Sequence, residues 1–264
     1  MDLQLAGKRA LVTGSTAGIG LAIAIELARE GAHVFVNGRT RARVDAARAS
    51  IEAEVPGAKV DAVAADLATA AGAAELFAKV PELDVLVNNL GIFEPKAFLD
   101  IPDEDWLRFF ETNVMSGVRL SRRYLPGMLA RDWGRIVFVS SESGQQIPAE
   151  MIHYGVTKTA QIAVARGIAE TTAGTGVTVN TVLPGPTASE GVSTFVSDLA
   201  ASRGLTRDAM EEEFFRSARP TSLLRRFIEP REVAALVAYV CSPRASATNG
   251  AALRVDGGVV RSIL

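Results

Sequence analysis

Cysteine, histidine and net charge are all scarce in this chain, and each shortage closes off a class of function. Cys241 is the one cysteine in 264 residues, so no intrachain disulfide forms and no thiolate cluster can hold a metal. Twenty-eight lysines and arginines face 30 aspartates and glutamates, a net charge of −2, which gives no basis for nucleic acid or an anionic membrane as partner. No apolar run reaches the roughly 18 residues that span a bilayer, and the N-terminus has no signal-peptide apolar core. The expected location is the reducing cytoplasm. The two histidines, His33 and His153, have no triad context, and no G-x-S-x-G elbow is present, which argues against a serine hydrolase.

What is there describes one globular domain with a sizeable core, 48% hydrophobic and 22% charged. Strand and helix patterns alternate from end to end without a break in composition. Buried-strand runs read at 8–14, 32–37, 84–88, 135–140, 177–183 and 251–256, and the alanine-rich 68–74 is helix-forming sequence rather than linker. The expected fold class is α/β: a single-domain, doubly wound (Rossmann-type) parallel sheet over 1–264 with helices on both faces. Residues 187–225 break the rhythm. That stretch is too long for a plain loop, so two short helices are expected at about 192–202 and 207–218. Val192, Phe195, Val196 and Leu199 form one apolar stripe there, and Met210, Phe214 and Phe215 another. Such stripes suit either a lid over a site or packing on the core.

The first strand runs into Gly14-Ser15-Thr16-Ala17-Gly18-Ile19-Gly20 and then a helical pattern. Strand, glycine-rich turn and helix N-terminus make an anion site, because backbone N–H groups point outward and the helix dipole favours negative charge. Glycines let a pyrophosphate approach without meeting a Cβ. The second strand ends in Asn37-Gly38-Arg39-Thr40-Arg41-Ala42-Arg43, with no acid before Asp45. A carboxylate there would hold a ribose 2′-OH, whereas a guanidinium grips a 2′-phosphate. Arg39 therefore points to NADP(H), with NAD(H) still possible; Arg41 and Arg43 read as a solvated first helical turn.

Tyr154 and Lys158 sit four apart in a helical stretch, so both project from one face. A free phenol titrates near pH 10, and a neighbouring ammonium is expected to pull that value down, making Tyr154 a usable acid or base. Ser140, Ser141 and Ser143 cluster at a strand end, where any of them could cap a turn. His153 is adjacent to the tyrosine but about 100° around the helix, so it should point away. Glu142 and Glu150 read as rim or surface residues.

Together these motifs resemble the short-chain dehydrogenase/reductase family over nearly the whole chain, and within it the 3-oxoacyl-carrier-protein reductases. Thr13-Gly14-x-x-x-Gly18-Ile19-Gly20 is similar to the family's cofactor turn, with Ser15 and Thr16 inside it. Asp66-Leu67 stands where the family sets an aspartate against the adenine. Asn88-Asn89-Leu90-Gly91 resembles its Asn-Asn-Ala-Gly motif, Leu90 replacing the alanine. Asn113 matches its helix asparagine, and Ser141, thirteen residues before Tyr154, its catalytic serine. Pro184-Gly185 follows the sixth strand as beside a nicotinamide, and Thr187 or Ser189 would bind the carboxamide or a phosphate.

The resemblance implies hydride transfer between a nicotinamide and a carbonyl or secondary alcohol, with no metal. Tyr154 would donate the proton, Ser141 would position the substrate oxygen, and Lys158 would tune the tyrosine and bond the nicotinamide ribose. Asn113 would hold a water linking Lys158 to solvent. Phe93, Ile147 and Met151 are pocket-wall candidates by position, which suits a medium-sized ketone. A carrier protein would want a basic patch, and Arg122, Arg123 and Arg131 are scattered candidates. The stretches 103–130 and 152–173 carry excess apolar and small residues, and the corresponding family helices pair in dimers and tetramers, so a homo-oligomer, a tetramer, is expected. The alternatives are an NAD-dependent sugar, polyol or other alcohol dehydrogenase and, more remotely, a dinucleotide-binding scaffold without catalysis.

Overall fold

The structure, a computed structural model, describes residues 1–189 and 206–263. Seven strands form one parallel sheet: β1 (Arg9–Val12), β2 (His33–Gly38), β3 (Val60–Ala64), β4 (Val85–Asn88), β5 (Gly134–Val139), β6 (Val177–Pro184) and β7 (Ala252–Val255). Their spatial order is β3-β2-β1-β4-β5-β6-β7. From β3 at one edge the chain returns to β4 beside β1, so the order reverses between β1 and β4. Ligands of open parallel sheets lie at such a reversal, outside the carboxyl ends of the strands.

Alternation along the strands explains why helices cover both faces. Ala10 and Val12, Val85 and Val87, Val137 and Val139 point to one side, where they meet α1 (Gly18–Arg29), Ile51 of α2 (Arg41–Glu54), and α8 (Pro230–Cys241). Leu11, Leu86, Ile136 and Phe138 point to the other, against α3 (Ala70–Lys79), α5 (Ser116–Ala130) and α6 (Ile152–Glu170). Each such side chain fully removed from water contributes about 1.5–3 kcal/mol to folding. The fit is close: a Cβ on Gly117 would lie 2.6 Å from the Phe138 ring. No helix among the described residues is long and apolar enough to cross a membrane. Cys241 is buried as a free thiol.

Two elements differ from the sequence expectation. The stretch 103–130 is not one helix: α4 (Asp103–Phe110) passes through a π-helical turn, Glu111–Met115, before α5 begins. The widened turn closes with the Ser116 N–H on the Glu111 carbonyl, and it holds Asn113. In 187–225 the second expected helix forms as α7 (Arg207–Ser217), whose Met210 and Phe215 bury against Phe227 with Phe214 alongside. The stripe Val192, Phe195, Val196 and Leu199 lies outside the described residues.

Candidate active site

The glycine turn takes the shape its spacing implies. Gly14 and Gly18 have φ of +61° and +55°, left-handed values that suit glycine. Gly20 is required by contact instead, since a Cβ there would lie 2.4 Å from Asn89 Nδ2 and 2.5 Å from the Gly14 carbonyl. No side chain caps the start of α1 at Ala17, so the first-turn N–H groups, Ile19 among them, stay available to a ligand. That is a fit for a pyrophosphate on the helix dipole. Ser15 turns inward: its hydroxyl donates to Val12 O (2.7 Å) and accepts from Asn37 N (2.9 Å), and its N–H donates to Asn37 O (2.9 Å), leaving only its carbonyl for a ligand.

The C-terminal edge of the sheet gathers the other nucleotide candidates. Thr16 packs so closely on Gly38 that a Cβ there would lie 2.5 Å from its methyl group, which sets it at the end of β2 just before exposed Arg39. Arg41 is engaged by Asp45 at 2.7 Å. Asp66 is exposed after β3, whereas the Leu67 side chain is core and can offer a ligand only its backbone. Asn89 Nδ2 donates to the Thr13 and Gly14 carbonyls at 2.9 and 3.1 Å, bolting the loop after β4 to the glycine turn. A Cβ on Gly185 would lie 2.5 Å from Asp256 O, so only glycine lets β6 leave the sheet beside β7. Thr187 Oγ1 donates to Gly185 O (2.9 Å), and Ser189 lies over the turn, 3.1 Å from where a Gly18 Cβ would be.

Ser141, Tyr154 and Lys158 come together below this edge. Tyr154 and Lys158 project from one face of α6, with Nζ 5.6 Å from the phenol ring centroid. The Ser141 hydroxyl lines the same cavity as the phenol, donates to Glu142 Oε2 at 2.5 Å and accepts from Ser143 N at 3.1 Å. Ser140 is structural, its hydroxyl donating to Lys158 O (2.8 Å). Lys158 Nζ donates to Val139 O (3.0 Å) and Gln161 Oε1 (3.2 Å). Gly91 lies beside it, a Cβ there reaching to 3.4 Å from Nζ, ordinary contact distance. Asn113 is fully buried, its side chain clamped on Ile92 N (2.8 Å), Ile92 O (3.0 Å) and Thr157 Oγ1 (2.9 Å).

The electrostatics correct the expectation for Tyr154. Its pKa is raised, not lowered: burial penalises the phenolate most and the Glu142 carboxylate adds to it, while the Ser141 hydrogen bond and Arg219 oppose. Burial also pulls Lys158 down to about 7 against the raising influence of Glu142. Helical spacing brought the pair together, but desolvation outweighs the attraction between them.

The serine and tyrosine open into a cavity of about 610 Å³, a volume typical of small-molecule sites. Phe93, Met151, Met210, Phe214 and Phe227 supply apolar wall. Ile147 is not part of it; it packs on α6, 2.8 Å from where a Gly155 Cβ would be. Glu142 was expected at the rim, yet it is 4% exposed. Its Oε1 accepts from Arg219 Nε (3.1 Å) and its Oε2 from Ser143 N (2.9 Å), and Arg219 also reaches Glu150 Oε1 at 3.0 Å. Arg219, a cavity residue the sequence reading did not single out, thus ties the segment after α7 to the residue beside Ser141. His153 points away from the cavity, its ring 4.0 Å from Phe109 and 6.0 Å from Trp106 by centroids.

Comparison with known proteins gives the family. Residues 8–200 match the family model described as short chain dehydrogenase. The chain is 51% identical over 263 residues to YvaG of Bacillus subtilis, an uncharacterized oxidoreductase, covering all of both chains. It is 36% identical to a D-beta-hydroxybutyrate dehydrogenase of Cupriavidus necator, covering 97% of this chain and 99% of that one. Among solved structures, L-sorbose reductase from Gluconobacter frateurii, complexed with NADPH and L-sorbose, superposes with a TM-score of 0.93 at 31% identity over the full length of both. The chain belongs to the short-chain dehydrogenase family and is an NAD(P)-dependent dehydrogenase/reductase.

Proposed function

We propose that the protein reduces a medium-sized ketone to a secondary alcohol with NADPH. One observation carries the reading: Ser141 and Tyr154 face the cavity between the uncapped start of α1 and Gly185, with Lys158 beneath them. Gly14, Ser15, Thr16, Gly18, Ile19 and Gly20 would hold the pyrophosphate and adjoining ribose. Arg39 would take the 2′-phosphate, Asp66 and Leu67 the adenine side, and Asn89, Gly91, Pro184, Gly185 and Thr187 the nicotinamide side. The bound nicotinamide supplies the hydride. Ser141 positions the carbonyl oxygen and Tyr154 gives it a proton, a contribution commonly of about 10²–10⁴-fold in rate. Tyr154 is protonated near neutral pH, as a proton donor must be, and burial makes its phenol a weaker acid than a free one.

A hydroxylated ketone, such as a ketose, is the reading favoured by the Glu142–Arg219–Glu150 group on the cavity wall. A 3-oxoacyl substrate uses the apolar side instead. Leu107, Phe110 and Val156 are exposed on α4 and α6, which supports a homo-oligomer built on those helices.

NADPH and NADH titrations followed by nicotinamide fluorescence test the cofactor assignment, and turnover on a panel of ketoses and 3-oxoesters tests the substrate. NADPH should bind more tightly than NADH, and Arg39→Ala should weaken NADPH by about 10–100-fold, the worth of a hydrogen bond between charged groups. Equal binding of both dinucleotides would refute the 2′-phosphate reading.

A further inference from the structure

Gln161 lies one helical turn beyond Lys158 on α6 and is 1% exposed. Its Nε2 donates to the Asn113 main-chain carbonyl at 2.6 Å, and its Oε1 accepts from Lys158 Nζ at 3.2 Å. Chemistry fixes which end of the amide is which. A main-chain carbonyl only accepts, so the nitrogen must face Asn113 and the oxygen is left for the amine. This carbonyl belongs to the π-helical turn Glu111–Met115. Its neighbour, Thr112 O, accepts from Ser116 Oγ at 2.6 Å. The Asn113 side chain bonds Ile92 and Thr157 instead of the lysine.

We propose that Gln161 is a positioning residue of the active site, whose amide takes the place of a bridging water between the Asn113 carbonyl and Lys158 and holds the lysine as an ammonium under Tyr154. The proposal rests on the reading of Tyr154 and Lys158 as the catalytic pair. Lys158 has two acceptors that favour its charged form, Val139 O on β5 and Gln161 Oε1 on its own helix, and both work against burial. The titratable groups that face it are Glu142, from the short turn after β5, and Tyr154, one turn earlier on α6. Among the described residues Glu142 is the one charged group that acts on it, and Asn113 and Gly91 lie beside it. Deleting the amide removes one of two hydrogen bonds to an ammonium, which should lower its titration midpoint by about one to two pH units.

The first test needs no turnover. Lysine labelled with ¹³C at the carbon bonded to Nζ reports the Lys158 midpoint by NMR in the intact protein, assigned by its loss in Lys158→Met. Gln161→Leu, of similar volume, should move the midpoint down, and Gln161→Glu should move it up. The second readout is the pH profile of kcat with NADPH and the best ketone. The alkaline limb should shift in the same two directions while KM for the ketone stays within about twofold. Gln161→Met serves as the apolar variant if the leucine form does not fold. Midpoints and profiles that coincide with wild type in both the apolar and the glutamate variants would overturn the proposal and leave Gln161 a packing residue. A moved midpoint in a protein that turns over no ketone would instead uphold Gln161 and count against the proposed reaction.

Discussion

Replacing Glu142 by glutamine keeps the side chain's shape and removes its charge, in a place where both of its oxygens are in use. Oε1 accepts from Arg219 Nε, while Oε2 accepts from Ser141 Oγ and Ser143 N. Ser141 can turn its hydroxyl round, but Arg219 Nε and Ser143 N can only donate. A glutamine has one oxygen for the two of them, so one buried donor loses its bond to this side chain, Ser143 N then keeping only Ser141 Oγ at 3.1 Å. That loss costs about 1–3 kcal/mol, toward the upper end where the donor is charged. An abandoned buried charge costs about 3–5 kcal/mol, but Arg219 keeps Glu150 at 3.0 Å. The expected destabilisation is therefore about 2–3 kcal/mol, read from the urea midpoint at pH 7. Glu150→Gln is the comparison: its side chain is 48% exposed, and the change should cost below about 1 kcal/mol. Removing Glu142 also removes a charge that opposes the phenolate, so the ultraviolet titration of Tyr154 should move to lower pH. Equal costs for the two variants, or an unmoved phenol, would refute this account of the Glu142–Arg219 pair.

Gly20→Ala places a Cβ 2.4 Å from Asn89 Nδ2 and should loosen the joint between the glycine turn and the loop after β4. NADPH titration should show weakened binding, with the far-ultraviolet spectrum of the fold retained. His153 is fully buried with neither ring nitrogen hydrogen-bonded, and burial lowers its pKa, with Asp105 and Glu94 opposing. Its folded pKa lies below the unfolded value of about 6.5. The unfolded chain therefore binds more protons, and stability present above about pH 6.5 is lost as pH falls toward the folded pKa. His153→Leu should flatten that acid loss in urea titrations between pH 7 and 5.

The parts of the fold that rest on local pattern were legible in the sequence. Runs such as 85–87 and 136–139 are continuously apolar, as strands covered on both sides are, and the glycine turn announced itself by its setting between a strand and a helix. The sheet order, with β4 beside β1, was not written in any local pattern. The π-turn at Glu111–Met115 also escaped, since one extra residue in a turn barely disturbs an amphipathic pattern over 103–130. Glu142 read as solvated because its partner, Arg219, is 77 residues away, inside the irregular stretch. The direction of the Tyr154 shift was misjudged for a related reason. Spacing reports that two groups are near each other, whereas burial depends on everything packed around them. Gln161 went unnoticed because a polar residue on a long helix reads as surface until the facing π-turn is in place.

Tyr154→Phe tests the proton-donor role most directly, because it removes one oxygen and leaves the ring against Phe93. With NADPH and the best ketone, kcat should fall by about 10²–10⁴-fold while the fluorescence Kd for NADPH stays within about twofold. Turnover within tenfold of wild type would contradict the claim that Tyr154 delivers the proton.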